Sequence, residues 1–236
     1  MCRNDVFLTT FLIQKVKTMY NFYSMGTQPD ANQTKAECFS IFPCGYMDRR
    51  NNMAKPQQRP RMVQNISWVS DYIKSDRARE STEALRAMLP TATRQEKQDF
   101  KILNFEYATF SGTFSYRNAR SVTARTSFMT LDIDHLESTD AARELQSTLV
   151  SDTEVETALC FVSPSGLGVK WVVTLPPWTE GMAFRDQFEQ LRRYVGFTYG
   201  IDPDPSGSDV CRACYLPCDP GCYVNPKYLL KTSIQC

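Results

Sequence analysis

Two aspartates lie two residues apart in the segment Leu131-Asp132-Ile133-Asp134, within a run of β-forming residues. On a strand, alternate side chains share a face, so Asp132 and Asp134 should point one way while Leu131 and Ile133 enter the core. The two carboxylates repel each other unless a cation binds them, and Mg²⁺ or Mn²⁺ prefers such oxygen ligands. The pair therefore indicates a two-metal site for phosphoryl or nucleotidyl transfer. A solvated strand end is the alternative for this motif alone.

A turn rich in serine and glycine follows about thirty residues later, with the sequence S-P-S-G-L-G-V-K over residues 163–170. Glycines allow the backbone to approach a ligand closely, and serine hydroxyls and free amides can bind phosphate oxygens. Lys170 adds a cation that could meet a triphosphate. The spacing is not that of a Walker A motif, and a tight hairpin turn is the alternative. The predicted nucleotide-binding residues are Ser163, Ser165, Gly166, Gly168, Lys170 and Arg212.

A third polar segment follows the longest predicted helix. Asp204 supplies a late carboxylate, with Asp202 as the second choice, and Arg212 could bind a phosphate through two hydrogen bonds. Turn-forming Asp-Pro pairs would also explain the segment as an ordinary loop. His135, the single histidine of the chain, is expected to cap the first strand or contact a neighbour rather than ligate a metal.

The three motifs in this order resemble the primase-polymerase domain of the archaeo-eukaryotic primase superfamily. The resemblance covers about residues 64–228. Within this superfamily, the sequence is most similar to the VirE N-terminal-like branch found on bacterial mobile elements. This resemblance implies that Asp132, Asp134 and Asp204 are the catalytic residues and the ligands of Mg²⁺ or Mn²⁺. Many relatives end the second motif with a histidine that touches the nucleotide phosphates. Here Lys170 stands in that place, which preserves a cation but not an imidazole.

The resemblance implies a DNA primase or polymerase that joins nucleoside triphosphates on a single-stranded DNA template during replication of a mobile element. A helicase could be its partner. The alternative is a catalytically inactive primase-like module that binds nucleic acid in replication initiation or together with a helicase.

The charge distribution agrees with a polyanionic partner. Residues 1–127 carry 19 Lys/Arg against 11 Asp/Glu, whereas residues 128–236 carry 8 against 15. A basic first half suits a nucleic-acid backbone, and an acidic second half suits bound metal. The residues predicted to contact nucleic acid are Arg86, Arg117, Arg120 and Arg125, with Arg77, Arg79 and Arg94 as further candidates. Each of these arginines alone could equally be a solvated surface residue.

The hydrophobic periodicity predicts an α+β fold. Strands are expected at 127–134, 156–162 and 169–175, and helices at 66–73, from 93 to about 100, at 139–150 and at 184–199. The resemblance adds a primase-polymerase core, with a mixed or antiparallel sheet of RRM-like type flanked by helices and an N-terminal α/β unit. Residues 1–62 are predicted to be a poorly ordered extension. Residues 63–236 should form the domain, divided into a basic unit at 63–127 and a catalytic metal-binding unit at 128–236.

Nine cysteines and the lack of a long apolar run bear on location and metal content. No segment of about 18 apolar residues and no secretory signal is present, which predicts a cytoplasmic protein with reduced thiols and no membrane partner. Four cysteines lie within twelve residues, but they lack paired C-x2-C knuckles and prolines separate them, which disfavours zinc there. These four are Cys211, Cys214, Cys218 and Cys222.

Overall fold

The structure is a computed structural model that describes residues 37–229. Its strands, in chain order, are β1 (Phe39–Phe42), β2 (Tyr46–Asp48), β3 (Met53–Lys55), β4 (Met62–Gln64), β5 (Tyr107–Thr109), β6 (Gly112–Phe114), β7 (Val122–Arg125), β8 (Phe128–Ile133), β9 (Thr157–Val162), β10 (Val169–Thr174), β11 (Cys214–Tyr215) and β12 (Tyr223–Val224). Its α-helices are α1 (Ile66–Lys74), α2 (Arg79–Met88), α3 (Arg94–Asn104), α4 (Thr139–Val150), α5 (Phe184–Tyr199) and α6 (Pro226–Leu229). Every strand pair in this part of the chain is antiparallel, and the predicted α+β class is confirmed.

Side-chain alternation along β8 gives the main sheet two different faces. The sheet has the strand order β12-β9-β10-β8. Leu131 and Ile133 are buried on one face, together with Trp171 of β10, in a core that includes α4 and α5. Asp132 lies on the other face, directly opposite Lys170 in the β8–β10 register. The predicted division between core residues and carboxylates is therefore present in the structure.

A second four-stranded sheet, with the order β11-β5-β1-β4, packs against the face that carries Asp132. Phe39 of β1 joins the two sheets, because its ring centroid lies 4.7 Å from that of Phe110 and 6.2 Å from that of Phe128 at the start of β8. Val69 and Ile73 of α1 complete the same buried cluster. The metal-ligand candidates of β8 thus point toward the junction between two sheets.

The structure corrects the predicted N-terminal extension of residues 1–62. Strand β1 pairs with both β4 and β5, and Phe39 and Ile41 are fully buried. The predicted boundary at residue 62 coincides with the first residue of β4. Strands β2 and β3 form a two-stranded hairpin, and the proline-bearing residues 56–61 that follow have no regular secondary structure. The part of that prediction before residue 37 lies outside the described residues.

Two further expectations concern thiols and membranes. Cys44, Cys160 and the four clustered cysteines are free thiols. Among residues 37–229, no helix has the length and apolar character that crossing a membrane requires.

A buried ion pair attaches the C-terminal segment to the main sheet. The Asp219 side chain is fully buried and pairs with the Arg143 guanidinium of α4. The same carboxylate accepts hydrogen bonds from the backbone N–H groups of Val162 (2.8 Å) and Gly221 (3.1 Å). One carboxylate therefore connects α4, the end of β9 and the segment between β11 and β12.

We expect Asp219→Ala to lower the free energy of unfolding by about 3 kcal/mol, because it leaves the Arg143 guanidinium and two amides without their acceptor. Urea denaturation followed by circular dichroism measures the effect. Asp76→Ala is the matched control, because it removes a mostly exposed ion pair with Arg79 and should cost less than about 1 kcal/mol. Equal losses in the two variants would contradict the role assigned to Asp219.

Candidate metal centre

Three carboxylates meet at the junction between the two sheets. Asp132 is the fifth residue of β8, Asp134 follows the strand, and Asp204 caps a short 3-10 helix after α5. The Asp204 N–H donates a 2.8 Å hydrogen bond to the Asp132 carbonyl, which holds this loop against the strand. Each aspartate offers one oxygen, and these oxygens lie within 4.8 Å of one another. In the part of the chain that the structure describes, no other set of three His, Cys, Asp or Glu ligands is this close.

Two cations lie among these carboxylates. The Lys170 ammonium pairs with Asp132 and lies 3.6 Å from an oxygen of Asp134. The Arg212 guanidinium donates a 2.8 Å hydrogen bond to Asp204 and lies 3.6 Å from Asp132. Two cations are at ion-pair distance from three carboxylates, so the carboxylates outnumber the cations in direct contact with them.

The pKa shifts in this group differ in direction: burial raises the pKa of Asp132 overall, although the Lys170 and Arg212 cations oppose it. Burial by itself would lower the pKa of Lys170, but the Asp132 and Asp134 carboxylates raise it above the ordinary lysine value. Burial by itself would raise the pKa of Asp204, yet its hydrogen bonds with Ser206 and the charges of Arg212 and Lys170 lower it overall. Lys170 is therefore an ammonium and Asp204 a carboxylate at neutral pH.

The residues present fit a hard divalent cation. All three candidate ligands are carboxylates, and neither histidine nor cysteine belongs to the group, which is the donor set that Mg²⁺ and Mn²⁺ prefer. The exposure increases from Asp132, which is buried, to Asp134, which is exposed, so the group opens to solvent. Two buried polar atoms beside Asp204, Ser206 Oγ and Arg212 Nε, lack a hydrogen-bond partner in the protein. The site thus keeps polar groups that the protein alone does not satisfy.

The turn between β9 and β10 borders this centre. The Ser163 N–H donates to the Gly168 carbonyl at 2.8 Å, and the Ser163 and Ser165 hydroxyls hydrogen-bond each other at 3.0 Å. A side chain at Gly168 would place a Cβ 2.7 Å from an Asp134 oxygen and 2.6 Å from the Ile133 carbonyl. Only glycine leaves room for Asp134 at this position. The nucleotide-binding role of Ser163, Ser165 and Gly166 stays a prediction.

Gly166 is at the far end of this turn from Asp134. Its φ of +78° is in the left-handed region that favours glycine. A Cβ there would lie 2.7 Å from Thr139 Oγ1 and 3.2 Å from Arg86 Nε. The turn therefore reaches from the carboxylates to the beginning of α4.

The structure distinguishes the two candidate acids of the third motif. Asp202 forms an exposed ion pair with Arg192 of α5 at 2.6 Å and does not join the carboxylate group. Asp204 does. His135 is exposed and has a φ of +66°, a left-handed conformation that turns the chain directly after Asp134. His135 is not part of the ligand group.

The four arginines predicted to bind nucleic acid have different environments. Arg86 is half-buried and donates to the Pro164 carbonyl at 3.3 Å. Arg117 and Arg125 lie over aromatic rings and donate to backbone carbonyls at 3.4 and 3.1 Å, so packing contacts account for both. Arg120 is exposed. Of the four, Arg120 has the most accessible side chain for a phosphate.

The four clustered cysteines are distributed between two parts of the core. Cys211 belongs to a small cluster with Tyr107, while Cys214, Cys218 and Cys222 belong to the core between the sheets. Burial raises the pKa of the Cys214 thiol to about 12, so in the protein alone this thiol is protonated at neutral pH. The packing of the four side chains explains why cysteines occupy these positions.

Lys101 of α3 is a candidate site residue that sequence reasoning missed. Burial lowers the pKa of its ammonium, Lys170 acts in the same direction, and Asp134 and Asp132 oppose them. The Lys101 amine is thus within electrostatic reach of the carboxylate group. No carboxylate of the described residues lies within ion-pair distance of it. The sequence feature that could have identified Lys101 is its position between the apolar residues Phe100 and Ile102 on an otherwise polar helix.

We expect Gly168→Ala to weaken Mn²⁺ binding by about tenfold or more, because the new methyl group displaces the Asp134 carboxylate. Isothermal titration calorimetry with MnCl₂ measures the affinity. Gly196→Ala on α5 is the control, because a Cβ there is 3.7 Å from its nearest neighbour. Unchanged affinity in a folded Gly168→Ala protein would show that Asp134 does not bind the metal.

Comparison with known proteins gives one match. The family model described as "BT4734-like, N-terminal domain" matches residues 101–224, which is more than half of the 236-residue chain. The matched region contains the three aspartates together with Lys101, Lys170 and Arg212. No curated protein and no solved structure matches the chain. The chain belongs to the BT4734-like N-terminal domain family.

Proposed function

We propose that this protein is a metal-dependent nucleotidyltransferase of the primase-polymerase type, which forms phosphodiester bonds on a single-stranded template. The observation that carries the proposal is the convergence of Asp132, Asp134 and Asp204 within 4.8 Å. These are the three acids that the resemblance to archaeo-eukaryotic primases implies. Membership of the BT4734-like family is compatible with that resemblance and with its VirE N-terminal-like branch.

Asp132, Asp134 and Asp204 would hold Mg²⁺ or Mn²⁺. When bound, such ions lower the pKa of the attacking 3′-hydroxyl and neutralise charge that develops on the α-phosphate. In the reaction, the 3′-oxygen forms a bond to the α-phosphorus, the bond to the bridging oxygen breaks, and pyrophosphate leaves. The hydroxyl proton passes to solvent, to which Asp134 is exposed.

Lys170 acts in this proposal as a positioning residue. Its ammonium is buried and engaged by Asp132, so it holds that carboxylate in place and opposes the rise in pKa that burial causes there. The sequence-based expectation gave Lys170 a direct contact with the triphosphate. We assign that contact instead to Arg212, whose Nε has no hydrogen-bond partner among residues 37–229, and to Lys101, which has no carboxylate of those residues at ion-pair distance. Both are positioned to meet the charge of a phosphate group.

The decisive experiment is primer synthesis and extension on single-stranded DNA with Mn²⁺ or Mg²⁺. We expect the wild type to make product and Asp132→Ala/Asp134→Ala to make none, because the metal ligands are lost. Asp186→Ala, an exposed aspartate on α5, is the control and should retain activity. A folded wild type that binds DNA and yields no product would favour the alternative, a nucleic-acid-binding module that works with a helicase.

We expect Lys101→Ala to raise the KM for the nucleoside triphosphate by about tenfold, because it removes a charged hydrogen-bond donor from the phosphates. Steady-state primer extension at varied nucleotide concentration measures this. Lys74→Ala, an exposed lysine at the end of α1, should leave the KM unchanged. A fall in kcat with no change in KM would contradict the role in nucleotide binding.

A further inference from the structure

The β2–β3 hairpin presents apolar side chains to solvent. Tyr46, Met47 and Met53 are 49%, 42% and 45% exposed. In the register of the hairpin, Tyr46 is opposite Lys55 and Asp48 is opposite Met53. Tyr46 and Met53 therefore lie on the same outer face of the hairpin. Asp48 and Lys55 lie on this face too, and their side chains form an ion pair. The outer face of this hairpin thus presents an exposed aromatic ring and an exposed methionine next to an ion pair.

The same segment is strongly basic. Residues 46–61 contain five Lys/Arg and one Asp/Glu. Arg49 and Arg50 are at the tip of the hairpin, Arg59 follows it, and all three are exposed. None of the three has an ion-pair partner among the described residues. Their charges are free to meet an external anion.

Helix α3 connects this hairpin to the metal centre. The Gly45 N–H at the base of the hairpin donates a 2.6 Å hydrogen bond to the Ile102 carbonyl. A Cβ at Gly45 would lie 2.3 Å from the Lys55 carbonyl and 2.5 Å from the Ile102 side chain, so the hairpin is seated tightly on α3. The preceding residue, Lys101, is the one within electrostatic reach of the carboxylates. The base of the hairpin therefore packs on the same helix that carries Lys101.

This combination of charge and exposed ring matches one class of ligand. Single-stranded nucleic acids bind where basic side chains follow the phosphates and aromatic rings stack on unpaired bases. A protein-binding surface would instead have few charges at its centre. We propose that the β2–β3 hairpin is an arm that binds single-stranded nucleic acid. That this strand is the template of the metal centre rests on the proposed function, whereas the binding itself does not.

The test measures binding of a fluorescently labelled oligothymidine to the full chain by anisotropy across a salt series. We expect Tyr46→Ala/Met53→Ala to weaken binding at least about fivefold with little change in salt dependence, since it removes stacking. We expect Arg49→Glu/Arg50→Glu to weaken binding and to reduce the slope of log K against log salt by about 0.7 for each phosphate that an arginine no longer neutralises.

The matched control changes the same residue types on another surface. Arg193 and Phe197 are exposed on α5, and Phe197 is 61% exposed. This helix covers the face of the main sheet opposite to Asp132. Arg193→Glu/Phe197→Ala should therefore bind the oligonucleotide as the wild type does. All substituted side chains are exposed, and thermal melting checks that each variant is folded.

The outcomes separate this inference from the proposed function. Hairpin-dependent binding by a protein that makes no product would support the arm and count against the nucleotidyltransferase. If the protein makes product and its hairpin variants bind the oligonucleotide as tightly as the wild type does, the proposal that the hairpin binds nucleic acid is overturned. A wild type that does not bind the oligonucleotide would also overturn it. So would hairpin variants that keep their affinity but lose self-association in sedimentation, because the surface would then bind a second copy of the chain.

Discussion

The pairing of Asp132 with Lys170 across β8 and β10 is the interaction on which the centre depends. A carboxylate buried without a partner would lose its charge or destabilise the fold, so its position requires a cation directly opposite. The antiparallel register provides that cation, because residue 132 faces residue 170. The backbone carbonyl of Asp132 accepts the hydrogen bond from the Asp204 loop, and the Arg212 guanidinium pairs with the Asp204 carboxylate.

The centre also depends on the contact between the two sheets. Asp132 belongs to the main sheet, while the chain that carries Asp204 and Arg212 continues directly into β11, which pairs with β5 of the second sheet. The loop therefore crosses from one sheet to the other, and the acids meet only where the sheets are packed together. After β11, the Asp219–Arg143 ion pair holds the chain against α4 before it enters β12 of the main sheet. Local strand geometry places two ligands, and tertiary packing supplies the third.

Local patterns in the sequence were sufficient for much of this arrangement. The helix at 184–199, the start of the helix near residue 93 and the orientation of Asp132 were predicted correctly, because each depends on local periodicity. Strands β1 to β4 were missed, since β1 pairs with β5 more than sixty residues away and the intervening segment is polar and rich in proline. Lys101 was missed for a related reason. Only packing of α3 brings its amine toward acids that lie thirty residues further along the chain.

The buried ammonium of Lys170 also bears on when the protein can fold. Small zinc domains acquire their structure only with metal, because nothing else balances their ligands. Here the Lys170 ammonium already pairs with the most buried candidate ligand, so we expect the chain to fold without a bound metal. Removal of divalent cations by a chelator should then abolish any metal-dependent activity of this centre without unfolding the chain. Cation supply would control when the centre operates and would leave the lifetime of the protein unchanged.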